Sequence, residues 1–251
     1  MKYPLALVVL LLLSISALAQ SPDAAKSNGN GSVASSTIPP APAITDKSSP
    51  TELAAAALAA QGGEKFKSLK SMWIMGDANL YAPNSSQSIP GKFSMVTVGD
   101  KIRIDINAQP VFTFKQIYDG QQSYSSMPGV SMPPANKFGL MVLTRYDQPG
   151  YTVSALPNDK KLRGFRIVDG DGNTTDFFID PTTSRVMKYL TPYNGYMFGT
   201  ENAKFKEVDG VLIPMSFTQR LEMPQGAFFA EYKVKDAKLN TPIGNDVFAI
   251  Q

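Results

Sequence analysis

The sequence predicts a mainly β fold built as one large antiparallel sheet, and three observations predict it. From Leu162 to Phe248, runs with apolar residues at every second position follow one another. Each ends in a turn-forming group: Asp169-Gly170-Asp171-Gly172, Asp180-Pro181-Thr182-Thr183, Asp209-Gly210 and Pro224-Gln225-Gly226. In residues 101–107, Ile102, Ile104 and Ile106 alternate with Lys101, Arg103, Asp105 and Asn107, the pattern of a strand with one buried and one wet face. Helical stretches are few and short, so a sheet of this many strands is expected to curl.

Composition narrows the function. With 251 residues, 43% of them hydrophobic and 18% charged, the chain can bury a sizeable core in one large all-β domain or two small ones. The net charge of +3 is spread out with no basic block, which argues against a nucleic-acid partner. Cys and His are both absent. Disulfides, a thiol nucleophile, a Ser-His-Asp triad and the usual zinc sites are thereby excluded, and no cofactor is expected.

Residues 1–19 read as a signal peptide. Lys2 gives the positive start, 5–13 is an apolar run, and Ala17-Leu18-Ala19 fits the small-x-small cleavage pattern. The apolar stretch from 4 to 19 is short of the ~20 residues of a membrane span. The mature chain is expected in the periplasm, without a lipid anchor because no Cys follows the cleavage point. Residues 20–48 are Ser, Ala, Pro, Gly and Asn with almost no large apolar side chain, and are expected to form a disordered leader. The domain proper spans 49–251.

Ser49-Pro50-Thr51-Glu52 has a capping serine, a proline at the first helical position and a glutamate three residues after the cap. It predicts a helix through the Ala-rich 53–60 that stops at Gly62-Gly63. A second helical piece follows at 64–69. Strands are expected at 72–81, 92–98, 101–107, 111–118 and 121–126. Residues 127–134 are rich in Met and Pro, and 135–146 are apolar nearly all the way round. That predicts a helix over the sheet, as a buried crossover or as a movable lid whose methionines adapt to varied apolar partners. Further strands are expected at 162–168, 175–179, 185–190, 203–208, 211–221 and 227–234, with 192–199 a Tyr- and Gly-rich crossing.

Two constellations suggest chemistry and fail on inspection. Asp169, Asp171 and Asn173 have the spacing of a calcium loop, with Asp180 twelfth. Position six is Thr174 where the sharp turn needs Gly, and strands rather than helices flank it, so a hairpin turn explains it. Asp176 and Asp180 could pair for glycoside hydrolysis. Both read as solvent-facing and no third element points to them.

Several segments together resemble a known family: the Ala-rich helix into Gly-Gly ("LAAAALAAQGG"), a first strand containing Gly76, "FFIDPTTSRVMKY", "FKEVDGVLIPMSF" and the closing "EYKVKDAKLNTPIGNDVFAI". The chain resembles the LolA-like superfamily of outer-membrane lipoprotein-sorting proteins, which also includes LolB, LppX and RseB-type domains, over roughly residues 51–250. The resemblance implies a curved antiparallel half-open β-barrel with a helical plug or lid, no enzymatic activity, and acyl chains of a lipid or lipoprotein as partner. An RseB-type role, binding a membrane-associated protein partner, is the alternative. Lipoprotein carriers of the family tie the lid shut with a strand arginine. Arg103 is of the right type in an early strand, but no motif aligns it with that role. The expected molecule is a monomeric periplasmic carrier. Candidate wall residues are Trp73, Met75, Phe93, Met95, Ile102, Ile104, Phe112 and Phe114, then Phe165, Ile167, Phe177, Ile213, Met215 and Phe217. Phe138 and Met141 are the candidates in the lid.

Overall fold

The computed structural model describes residues 36–127, 132–223 and 226–250. The chain enters by helix α1 (Pro50–Gln61), which starts as its sequence requires. The Ser49 hydroxyl accepts from the Glu52 amide, and the Glu52 carboxylate accepts from the Ser49 amide at 2.6 Å. Gly62 ends the helix at φ 122°, a conformation open to glycine. A single turn, α2 (Glu64–Lys67), leads to the sheet and buries Phe66.

Five strands form the first meander: β1 (Ser71–Tyr81), β2 (Ser88–Val98), β3 (Lys101–Ala108), β4 (Phe112–Tyr118) and β5 (Ser123–Ser125). Seven form the second: β6 (Thr152–Asp159), β7 (Leu162–Val168), β8 (Thr174–Ile179), β9 (Val186–Tyr193), β10 (Tyr196–Val208), β11 (Val211–Met223) and β12 (Gly226–Leu239). The last strand pairs with the first, giving one antiparallel sheet in the order β5-β4-β3-β2-β1-β12-β11-β10-β9-β8-β7-β6. The fold is mainly β, a curved and unclosed twelve-stranded sheet with few helices.

Three expectations change. Strand β6 is absent from the sequence reading because it lies at the sheet edge, mostly exposed, with Pro157 beside a break in its pairing. An edge strand with a proline needs no alternation and shows none. The crossing expected at 192–199 is a tight hairpin: β9 and β10 meet at Asn194-Gly195, both with positive φ (47° and 80°), the two-residue turn whose twist suits paired strands. The helix expected over 135–146 is two 3-10 turns, Ala135–Lys137 and Leu140–Arg145. Extended Phe138 and Gly139, at φ 84°, interrupt any continuous helix between them.

Two placements show how strongly the sheet wraps. Helix α1 packs on β11 and also on β6 and β7. Five strand spacings separate β11 from β6, about 24 Å if flat, whereas twelve helical residues span only about 18 Å. The first 3-10 turn packs on β3 and β4. Its Lys137 nevertheless bonds Asp171 at 2.8 Å, in the turn between β7 and β8. Across a flat sheet those strands would stand almost 40 Å apart. The segment holding these turns joins edge strand β5 to edge strand β6, so it bridges the open side of the barrel.

The end of the leader is laid onto this domain. Ser36 and Thr37 bond the Glu207 carboxylate, Ile44 packs against the core, and the Arg163 guanidinium donates to the Thr45 carbonyl. Residues 20–35 of the expected leader lie outside the described residues.

Candidate functional site

Strand alternation assigns each side chain to a face. On β1, Met72, Ile74, Ala78 and Leu80 point to the inner face, where α1 and the lid lie. The pairings carry that face along the sheet: Ile74 opposes Met95, Met95 opposes Ile104, and Phe93 opposes Ile106, which opposes Phe114. In the other half Phe217 opposes Tyr232, and Phe165 opposes Phe177, which opposes Tyr189.

The structure brings most of the sequence candidates together. Phe93, Phe114, Phe165, Ile167, Phe177 and Ile213 are buried in one continuous inner cluster; Met95, Ile104, Phe112, Met141, Met215 and Phe217 pack against it half-buried. Ile102 is buried on the same face of β3, opposite Thr97 and Tyr118. Phe138 is half-buried in the extended link between the two 3-10 turns. Trp73 and Met75 fall on the other side. Trp73 packs on a smaller outer cluster around Val96, Ile117 and Phe248, and its indole N–H donates to Ser94 at 2.9 Å. Arg103 is also on the outer face, bonded to Asp105 at 2.5 Å and to the Val247 carbonyl at 2.9 Å. It fastens the C-terminal tail, not the lid.

The chain fills the hollow itself. Phe165, Ile167 and Phe177 have no exposed surface. Leu53 and Leu58 of α1 and Val142 and Leu143 of the lid close over them. Two recesses lie elsewhere: one of about 150 Å³ on the outer face, over Gly199 between Lys188 and Arg220, and a shallow one at the 109–113 turn.

Polar bonds fasten the lid at its rim. Lys137 reaches Asp171 and Asp169 of the β7–β8 turn (2.8 and 3.4 Å), Arg145 pairs with Asp100 of the β2–β3 hairpin, and Asp147 accepts from Lys67 of α2 at 2.7 Å. The buried Gln116 amide donates to the Pro133 carbonyl at 2.8 Å. Asp169 serves the turn as well. It accepts from the Asp171 and Asn173 amides and the Asn173 side chain, the hairpin geometry expected in place of a calcium loop. Among the described residues no group of acidic side chains gathers to hold a metal. Asp176 corrects the sequence reading, being buried rather than solvent-facing. Its carboxylate takes two bonds from Arg166, at 2.5 and 2.8 Å. Asp180 accepts from the Thr182 and Thr183 amides as the cap of its turn.

Neither a protein-family model nor a curated protein matches the sequence. Among solved structures, the crystal structure of a LolA superfamily protein from Nitrosomonas europaea is similar with a TM-score of 0.51 and 12% identity, over 77% of this chain and 97% of that one. The fold is LolA-like. A DUF1329 family protein from Desulfovibrio piger (TM-score 0.47, 8% identity) covers 80% of this chain and 98% of its own. A putative outer membrane lipoprotein-sorting protein domain from Vibrio parahaemolyticus (0.43, 12%) covers 78% and 97%. Those two scores are too low to carry an argument.

Within the LolA-like sheet one feature escaped the sequence. The inner face is not apolar throughout. Across β8, β9 and β10 it carries Thr175, Thr191, Tyr189 and Thr200, all largely covered. Burial pushes the Tyr189 phenol up, against a hydrogen bond with Thr200, so the ring stays uncharged. The alternation Thr175, Phe177, Ile179 could have revealed these positions, since it puts the threonine on the face of the two apolar residues.

Proposed function

We propose that this chain is an exported, periplasmic, non-enzymatic carrier that holds acyl chains of a lipid or lipoprotein against the inner wall of its half-barrel. The observation that carries the reading is the cover on that wall. A continuous apolar face drawn from both halves of the sheet is closed by an alanine-rich helix and a short lid. Magnitudes support an exchange. Uncovering Val142 and Leu143 together with half-buried Leu140 and Met141 forfeits roughly 5–9 kcal/mol, at about 1.5–3 per fully buried side chain and half that for the other two. An acyl chain of ordinary length returns roughly 10 kcal/mol at about 0.8 per methylene. The two nearly balance, as loading and release require.

One observation favours a second reading, that the domain binds a protein partner. The interior is already occupied by the protein's own side chains. Native mass spectrometry of protein taken from its host's periplasm, with displacement of a fluorescent acyl probe, separates the two. Bound lipid or probe exchange supports the carrier. Neither, together with a stable complex in a periplasmic pulldown, overturns it in favour of the protein partner.

A further inference from the structure

We infer that the outer face of the sheet carries a docking recess over Gly199 that takes a lysine side chain of a protein partner. The site lies behind the inner wall, so it stands apart from the carrier reading. It starts from a glycine that the fold does not need. The other strand glycines have a backbone reason. A Cβ built at Gly76, Gly91 or Gly164 would stand 2.0, 2.7 or 2.6 Å from a main-chain carbonyl oxygen, and Gly226 has a φ of 126°. Gly199 has neither constraint. A Cβ there would meet the end of the Leu190 side chain at 3.1 Å, and the nearest main-chain atom is the Arg220 carbonyl oxygen at 3.9 Å. Glycine inside a strand weakens it, and where no backbone crowds the position it marks the close approach of a ligand.

The register builds the walls. Gly199 opposes Leu190 on β9 and Arg220 on β11; Glu201 opposes Lys188 and Thr218, and Met197 opposes Glu222. The missing side chain leaves a recess of about 150 Å³ among them. That is room for one side chain, well below the roughly 300–1,000 Å³ of a pocket that takes a whole small molecule.

The charges select which side chain. Lys188 stands opposite Glu201, but its ammonium is drawn the other way, bonding Asp159 at 2.8 Å and lying 5.4 Å from the centroid of the Phe178 ring. Arg220 pairs with Glu222 at 3.0 Å. Glu201 is exposed and has no ion-pair partner among the described residues. One carboxylate is thus left over beside the aliphatic surface of Leu190 and Met197. A lysine satisfies both, because its apolar stem can lie on that surface while its ammonium reaches Glu201. An acidic side chain would face a like charge, and an apolar one would strip water from Glu201 without replacing it.

The test is a chemical-shift titration of the ¹⁵N-labelled protein with N-acetyl-lysine methylamide, its norleucine counterpart and 1,5-diaminopentane. It is run on the wild type, on Gly199→Val and on Glu201→Gln. The lysine compound should shift the amides of Gly199, Glu201 and Arg220 saturably, with a Kd of about 10 mM or below, and norleucine should bind at least about fivefold more weakly. Gly199→Val fills the recess. It should abolish these shifts, melt at the wild-type temperature or above, and leave acyl-probe exchange unchanged. Glu201→Gln should reduce the lysine compound to the level of norleucine. Equal binding of lysine and norleucine overturns the inference, as do shifts that survive Gly199→Val or a lowered melting temperature in that variant. A diamine that binds more tightly than the lysine compound overturns the protein partner in favour of a free polyamine.

Discussion

At Gly76, β1 runs tight against β12. A Cβ built there would stand 2.0 Å from the Lys233 carbonyl oxygen, at the point where the pairing slips between Met75 and Gly76. Backbone on both sides leaves nothing flexible to give way. Gly76→Ala is expected to lower stability by about 2 kcal/mol or more in urea unfolding. Residues also mark the limit of what the sequence could say about the site. Alternation put Phe93, Ile104 and Phe165 on the wall because their strand neighbours are polar. On β1 both faces are apolar, and nothing local separates Ile74 from Trp73. The choice is made by residues 243–250, which dock from outside and bury Phe248 among Val96, Ile117 and Trp73. Phe248→Ala should cost about 3–5 kcal/mol in the same unfolding experiment. It should leave acyl-probe affinity unchanged, because the cluster it breaks lies behind the wall.

Elements differ in how firmly they are specified. Helix α1 is fixed by its own first turn, and that is why its start could be read directly. Ser49→Ala removes the cap and should cost about 1 kcal/mol. Hydrogen exchange should show the loss in the α1 amides while β1 and β12 keep their protection, since the helix is a plug and not part of the ladder. The hairpins at Asp209-Gly210 and Asn194-Gly195 use the same positive-φ chemistry. The former was evident between two clear strands. The latter was hidden because Tyr193, Tyr196 and Phe198 blur the alternation on either side. The lid was legible as apolar cover and illegible as conformation, because a run of apolar residues shows burial without showing pitch. Gly139 and the extended Phe138 decide that.

For the molecule as a whole, the rim fastenings set the response to acid. Burial works to raise the Asp169 carboxyl, but hydrogen bonds from the Asn173 side chain and backbone and the charge of Lys137 outweigh it and hold the group below the usual carboxylate range. A carboxyl depressed by folding contributes stability above its unfolded value and loses it as pH falls through the folded one. Lys137 is raised, chiefly by its bond to Asp171, so its contribution persists through neutral pH and is lost only in strong alkali. Proteolysis within residues 133–147 should therefore be flat from about pH 5 to 9 and quicken below about pH 4. Acceleration already at pH 6 would show that these pairs do not hold the lid. The curled sheet itself was legible from strand number and scant helix, whereas the edge-to-edge course of the lid was not, because β6 carries no alternation.

Pairing of the first strand with the last has a further consequence. The Asn240 amide donates to the Ser71 carbonyl at 2.9 Å, so the outer ends of β1 and β12 sit side by side in the middle of the sheet, while the long connection from β5 to β6 joins its two edges. The barrel can thus be rewired without disturbing a single strand neighbour. A circular permutant that opens between β5 and β6, keeps α1 and the C-terminal tail, and joins the old ends through a flexible linker should recover the wild-type circular dichroism spectrum with its covering strap cut.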